Sequence, residues 1–176
     1  MKLPNEDLIM QVYQLAHQNN WDGVIETLKP FLQKEPKNHW YNVKTGIAYY
    51  QKYDFDRAFD YISVGLHVRL ECPIGLFLMA NILKLRGQTE GAMLIWEGLA
   101  NSRPDKIDYG VDCVCCHYPT MARTLVADSK IKIAETYKEQ GYHSLSERYR
   151  NSYLRDLSEG VTSLFSEEDV EEMFED

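Results

Sequence analysis

The feature that most constrains this chain is a pattern of side chains that recurs every 34 residues. An aromatic residue at Phe55 is followed by a small residue at Ala58 and an apolar residue at Ile62. The same register recurs one interval earlier and one interval later, at Trp21, Val24 and Leu28 and at Thr89, Ala92 and Trp96. A period of 34 indicates an array of helix-turn-helix repeats, in which each unit buries its apolar face against its neighbours.

Three regular units follow from this period. They span residues 5–38, 39–72 and 73–106, and each is predicted to hold two helices. The first helix is expected to begin near Asn5 and the second at Trp21, and the next four are expected near residues 40–52, 55–69, 74–86 and 89–102. Pro36 and Pro104 close the first and third units, since the residue before a proline is driven out of the helical region.

A fourth unit is displaced from the period. The pattern resumes at about Ala127 and runs over residues 127–160, so that about 20 residues, 107–126, form an insertion, interpreted as a loop and a short added helix. Residues 161–176 form an acidic C-terminal segment. It is predicted to contain an amphipathic capping helix with Ser166 as its N-cap. The chain is therefore interpreted as one all-α domain.

The net charge of −8 comes entirely from the C-terminal segment. Eight of the 27 acidic residues lie between Glu159 and Asp176, where there is no Lys or Arg, so that the other 19 acids balance the 19 bases. A nucleic-acid-binding protein needs a basic stripe that displaces counterions from phosphates. The chain is therefore not expected to bind nucleic acid.

Neither a signal peptide nor a membrane span is expected. The N-terminal residues lack the basic start and unbroken apolar core of a signal peptide, and no stretch approaches the roughly 20 apolar residues that cross a bilayer. The four cysteines, three of which crowd at Cys113, Cys115 and Cys116, lack the spread of a disulfide framework. A cytoplasmic protein is therefore expected.

The second and third units carry the residues of a known family. Nine positions of the third unit resemble the tetratricopeptide repeat: Leu76, Met79, Ala80, Leu83, Gly87, Ala92, Trp96, Leu99 and Pro104. Residues 48–58 are similar to the same consensus, whereas Asn42, Thr89 and Arg150 depart from it. The resemblance covers residues 5–106 and, in degenerate form, residues 127–160. It implies antiparallel helix pairs stacked into a right-handed superhelical solenoid, with a concave groove lined by the first helix of each pair.

By this resemblance, nine positions would line the groove, and most of them are apolar or aromatic: Ile9, Tyr13, Trp40, Val43, Ile47, Tyr50, Ile74, Phe77 and Asn81. Such a surface fits a protein partner that presents apolar anchors on an extended peptide or an amphipathic helix. The chain is therefore predicted to be a non-enzymatic protein–protein interaction module. The sequence leaves open whether the C-terminal segment or the insertion fills the groove, and whether the chain forms a homodimer.

A chaperone function is the second interpretation. The small size and apolar groove are similar to those of the class II secretion chaperones, which shield secreted clients that aggregate. A clamp for the C-terminal carboxylates of heat-shock chaperones is not expected, because such a clamp needs Lys, Asn and Arg in the groove. The corresponding residues here are Ile9, Tyr13, Val43, Ile74 and Leu78, and Lys44 is the one base among them.

A metal or haem site in the insertion is the third interpretation. Cys113, Cys116 and His117 have the spacing of a c-type haem attachment motif, and thiolates and imidazole also suit zinc. Haem attachment takes place outside the cytoplasm, however, and beyond Cys72 no second Cys or His pair completes a zinc site. No metal and no cofactor are therefore predicted, and the cysteines are interpreted as small apolar residues packed under the insertion.

No catalytic residues are predicted. The five histidines lie singly in different parts of the chain: His17, His39, His67, His117 and His143. Neither a Glu-x-x-His pair nor a glycine-rich phosphate loop accompanies them.

Overall fold

A computed structural model describes residues 4–102 and 119–175, and every regular element in these two ranges is an α-helix. The helices are α1 (Glu6–His17), α2 (Trp21–Lys34), α3 (His39–Gln51), α4 (Phe55–Val68), α5 (Pro73–Leu85), α6 (Thr89–Ala100), α7 (Pro119–Glu139), α8 (His143–Ser158) and α9 (Glu167–Phe174). Helices that follow one another pack together, as α1 does on α2, α3 on α4 and α7 on α8. None of these helices is long and apolar enough to cross a membrane. The all-α prediction is confirmed, and the superhelical stacking stays a prediction.

The described residues form two compact units. Unit 1 holds residues 4–82, which include α1 to α4 and most of α5. Unit 2 holds residues 83–102 and 119–175, which include the end of α5 and α6 to α9. A single domain over residues 1–176 stays a prediction.

Four turns between helices share one backbone geometry. Each contains one residue in the left-handed region: Asn19 (φ 54°), Tyr53 (φ 61°), Gly87 (φ 76°) and Gly141 (φ 79°). In each turn the next amide donates to the carbonyl five residues back, in the pairs Asn20–Leu15, Asp54–Tyr49, Gln88–Leu83 and Tyr142–Tyr137, at 2.8–3.0 Å. Glycine and asparagine suit this conformation. The first three turns follow at 34-residue intervals and the fourth at 54. Gly160 after α8 (φ 87°) has the same conformation, and the Val161 amide donates to the Asp156 carbonyl at 3.0 Å.

Side-chain caps fix where several helices begin. The side chains of five N-cap residues accept hydrogen bonds from backbone amides of the first turn: Asn5, Asn20, Asn38, Asp54 and Ser166. Each such cap stabilises a helix by about 1 kcal/mol. The predicted starts at Asn5 and Ser166 are thereby confirmed.

Helix α7 is longer than the sequence reading predicts. It begins at Pro119 and runs unbroken for 21 residues, so that residues 119–126 form its first two turns instead of a separate short helix. Proline is well accommodated in the first turn of a helix, and no glycine or further proline interrupts the chain before Gly141. The rest of the predicted insertion lies outside the described residues.

The core of unit 1 encloses α3. Every residue of α3 from His39 to Gly46 is buried, so that this helix has no solvent-exposed face over two turns. Its glycine, Gly46, lies against α4, where an added Cβ would stand 2.6 Å from Ile62 Cγ1. The absence of a side chain at this position therefore lets α3 and α4 approach closely.

The core of unit 2 is closed by the C-terminal segment. Val170 of α9 is buried with Ala127, Ile131 and Ala134 of α7 and Tyr153 of α8. Further apolar side chains of the same segment pack around this cluster: Val161, Phe165, Met173 and Phe174. The predicted packing of a terminal amphipathic helix on the last helix pair is observed.

Candidate functional site

The nine predicted groove positions all lie in unit 1, but they differ in exposure. Trp40, Val43 and Phe77 are buried, with 1%, 0% and 3% of their surface exposed. The other six are half-buried: Ile9, Tyr13, Ile47, Tyr50, Ile74 and Asn81. The three buried residues therefore contribute to the core of this structure, and only the other six reach its surface.

Two of the predicted groove residues, Tyr13 and Tyr50, each lie beside a side chain of another helix. The Lys44 amine donates a hydrogen bond of 3.2 Å to the Tyr13 hydroxyl and lies 4.6 Å from the centre of the Tyr13 ring. Burial raises the pKa of Tyr50, and the Asn81 side chain of α5 opposes that shift. These side chains connect α1 with α3 and α3 with α5, and the groove itself stays a prediction.

A cleft between α2 and α4 forms a second candidate site, which the sequence reading missed. Its volume is about 650 Å³, within the roughly 300–1,000 Å³ of ligand pockets in proteins. The floor is the face of α3 that carries Asn42, Thr45 and Tyr49. The apolar residues of the remaining wall come from α2, the turn after it and α4: Ile25, Leu32, Pro36 and Val64. We call this site the α2–α4 cleft.

Aromatic side chains build one wall of the α2–α4 cleft. Tyr49 of α3 and Tyr61 of α4 stack with ring centroids 5.4 Å apart and planes within 11° of parallel. The Arg57 guanidinium lies 5.3 Å from the centre of the Tyr49 ring. Burial and the nearby Tyr49 raise the pKa of Tyr61, so that its hydroxyl stays protonated at neutral pH. The wall therefore presents flat rings and hydroxyl groups beside one cation.

Charges of both signs surround the cleft. On α2, Glu26 and Lys29 form an exposed ion pair at 3.4 Å. On α4, Arg57 and Asp60 line the opposite rim, and Arg57 pairs with Asp54 at 3.3 Å. The rim thus lacks the single sign of charge that a polyanionic ligand would favour.

One polar group at the floor of the cleft is unsatisfied. Thr45 is 1% exposed, and its hydroxyl has no hydrogen-bond partner. The neighbouring Asn42 amide is satisfied, because it donates to the carbonyls of Pro36 at 2.9 Å and Asn38 at 2.7 Å. A buried hydroxyl without a partner destabilises the fold by about 1–3 kcal/mol.

The cleft lies on a different face of α3 from the predicted groove. Asn42, Thr45 and Tyr49 are spaced three and four residues apart and share one face, while Val43 and Ile47 lie on another. Two sequence signals were available, namely the aromatic residues at positions 49 and 61 and the polar residues at 42 and 45. The family resemblance predicts a groove on the other face of α3 and assigns no role to these residues.

Of the four side chains considered as metal or haem ligands, Cys113, Cys116 and His117 lie outside the described residues. The fourth, Cys72, is buried. Within residues 4–102 and 119–175, no group of three or more His, Cys, Asp or Glu side chains is arranged to hold a metal ion.

A scan against protein-family models and a search of the curated proteins found no match to this chain.

Proposed function

We propose that this chain is a non-enzymatic protein-interaction module that binds a short peptide segment of a partner protein in the α2–α4 cleft. The observation that supports this proposal is the cleft itself, with a stacked tyrosine pair and apolar residues inside and charges of both signs at its rim. Tyrosine, arginine and apolar side chains around a pocket are the usual composition of peptide-binding surfaces.

The size and chemistry of the cleft favour a peptide over other ligands. A volume of about 650 Å³ accommodates a few side chains and not a folded domain. Apolar side chains of a peptide would pack on Leu32, Val64 and the Tyr61 ring, and its backbone would meet the tyrosine hydroxyls. The ionisable groups of the rim, such as Lys29 and Glu26, are exposed and paired with each other, which favours recognition over proton-transfer chemistry.

The tetratricopeptide-repeat architecture and a cytoplasmic location belong to the same proposal. Four turns of identical geometry support a helical repeat. The half-buried groove positions Ile9, Ile47, Tyr50 and Ile74 are proposed as a second surface for an apolar partner segment.

Selection from a random peptide display library, followed by affinity measurements with purified protein, tests the proposal. Val64→Asp places a charge in the cleft at a residue that is 38% exposed. Leu70→Asp is the matched control, because Leu70 is 74% exposed, follows α4 and lies outside the cleft. We expect Val64→Asp to weaken binding of the selected peptides at least tenfold and Leu70→Asp to leave it unchanged. Equal affinities for both variants would refute the cleft as the binding site.

A further inference from the structure

The C-terminal helix α9 is docked on its own chain through a small apolar contact. Of its eight residues, only Val170 is buried. Met173 and Phe174 are half-buried against the cluster formed by α7 and α8. An isolated helix of this length is unstable in water. Helix α9 is therefore stabilised by the surface on which it packs and by the capping box formed by Ser166 and Asp169.

The surface under α9 combines apolar residues with bases. The Arg150 guanidinium lies 4.8 Å and the Lys138 amine 5.9 Å from the centre of the Phe174 ring. The Lys132 amine lies 5.5 Å from the centre of the Phe165 ring. We call this surface, formed by Ile131, Ala134, Tyr149, Tyr153 and these three bases, the α7–α8 face.

The α9 segment leaves one of these bases, Arg150, incompletely satisfied. The other two have hydrogen-bond partners, since Lys132 pairs with Glu135 at 2.5 Å and Lys138 donates to the Glu175 carbonyl. The Arg150 Nε is buried without a hydrogen-bond partner, and its contact with the Phe174 ring is the interaction that the structure shows for this side chain. Since an arginine–carboxylate pair is stronger than a cation–π contact alone, the face has binding capacity that α9 leaves unused.

The chain before α9 is fixed independently of α9. Asp128 of α7 accepts hydrogen bonds from the Ser163 hydroxyl at 2.6 Å and from the Leu164 amide at 3.0 Å. The Thr124 and Thr162 hydroxyls are 2.6 Å apart. The segment that precedes α9 is therefore held to α7 by hydrogen bonds that do not involve α9.

From these observations we infer that the α7–α8 face is a binding site for a short, acidic, amphipathic helix of a partner protein, and that α9 occupies it as a self-ligand that the partner displaces. The self-ligand shows the required chemistry, namely Val and Phe anchors on one side and carboxylates on the other. A partner helix that places a carboxylate beside Arg150 gains an interaction that α9 lacks. This site is separate from the α2–α4 cleft and does not depend on the function proposed for that cleft.

Binding of a fluorescent peptide to the full-length protein tests this inference. The probe has the sequence of residues 166–175, and its affinity is measured by anisotropy for the wild-type chain and for Val170→Asp, which weakens the docking of α9. We expect the variant to bind the probe at least tenfold more tightly than wild type, because the face is then unoccupied. A probe carrying Phe174→Ala is the matched control and should bind neither protein. Equal binding of the probe to both proteins, or no binding to the variant, would overturn the inference.

Hydrogen exchange on the wild-type protein gives an independent readout if Val170→Asp does not fold. With a large excess of the probe, the α9 amides, such as Val170, should lose protection while the Leu164 amide keeps it. Unchanged protection of α9 at saturating probe, or simultaneous loss at Leu164, would contradict displacement of α9 as a separate element.

Discussion

Gly65 of α4 lies directly against Val43 of α3, so closely that an added Cβ at position 65 would stand 2.8 Å from Val43 Cγ2. Val43 is fully buried at this contact. The residue therefore packs between the two helices of a pair. The same geometry explains why the sequence has glycine at position 65.

Gly65→Ala should destabilise the protein by about 1–3 kcal/mol, since the new methyl group overpacks the contact with Val43. Gly98→Ala is the matched control, because Gly98 also lies within a helix and an added Cβ would meet no atom within 4 Å. The control should stabilise the protein by about 0.5–1 kcal/mol through helix propensity. Urea unfolding measures both values, and a stabilising effect of Gly65→Ala would show that the two helices are not this close.

The carboxylate of Asp128 should make stability depend on pH. Burial raises the pKa of Asp128 from 3.8 to about 6, although hydrogen bonds from Ser163 and Leu164 oppose the shift. The folded state then holds a proton that the unfolded chain releases, so that the stabilisation is fully present below pH 3.8 and is lost as the pH rises through about 6. The effect is on the order of 3 kcal/mol at most.

Asp128→Asn should remove this contribution, since an amide resembles the protonated acid and does not titrate. The free energy of unfolding of Asp128→Asn, relative to wild type, should increase by about 2–3 kcal/mol between pH 4 and pH 7. Chemical denaturation at several pH values measures this difference. Parallel pH profiles for the two proteins would show that Asp128 titrates normally in the folded state.

Thr45→Val should stabilise the protein. The Thr45 hydroxyl is buried without a partner, and valine has the same shape without the unsatisfied group, so that a gain of about 1 kcal/mol is expected. Thr136→Val is the matched control, because Thr136 is equally buried but donates a hydrogen bond to the Lys132 carbonyl at 2.9 Å. The control should be neutral or destabilising in the same urea titration. If both variants were destabilised alike, the Thr45 hydroxyl would have a partner after all.

The sequence predicted the helices well because the turns carry local signals. Asn20 and Asp54 are capping residues, and Gly87 and Gly141 suit a left-handed turn. Short local segments of the sequence therefore indicate where the helices of each predicted unit begin and end. The repeat pattern predicts the start of α7 too late, since the residues that follow Pro119 form a helix but do not match the repeat.

The orientation of side chains on α3 was harder to predict, for a physical reason. An amphipathic pattern of apolar and polar residues identifies the core-facing side of a helix only when the helix also has a solvent-facing side. Helix α3 is buried on all sides from His39 to Gly46, so that no pattern in the sequence separates Val43, which meets α4, from Thr45, which lines the cleft. The α2–α4 cleft depends on the spacing of three helices, and a period along the chain does not encode that spacing.

Amide chemical-shift mapping of the ¹⁵N-labelled protein with a peptide selected for binding tests the central claim most directly. The stacked rings of Tyr49 and Tyr61 make nearby amides sensitive to a ligand in the cleft. We predict that the largest shift changes fall on cleft residues of α2, α3 and α4, such as Leu32, Thr45 and Val64. Changes confined to α1 and α5 would contradict the proposal that the α2–α4 cleft holds the partner peptide.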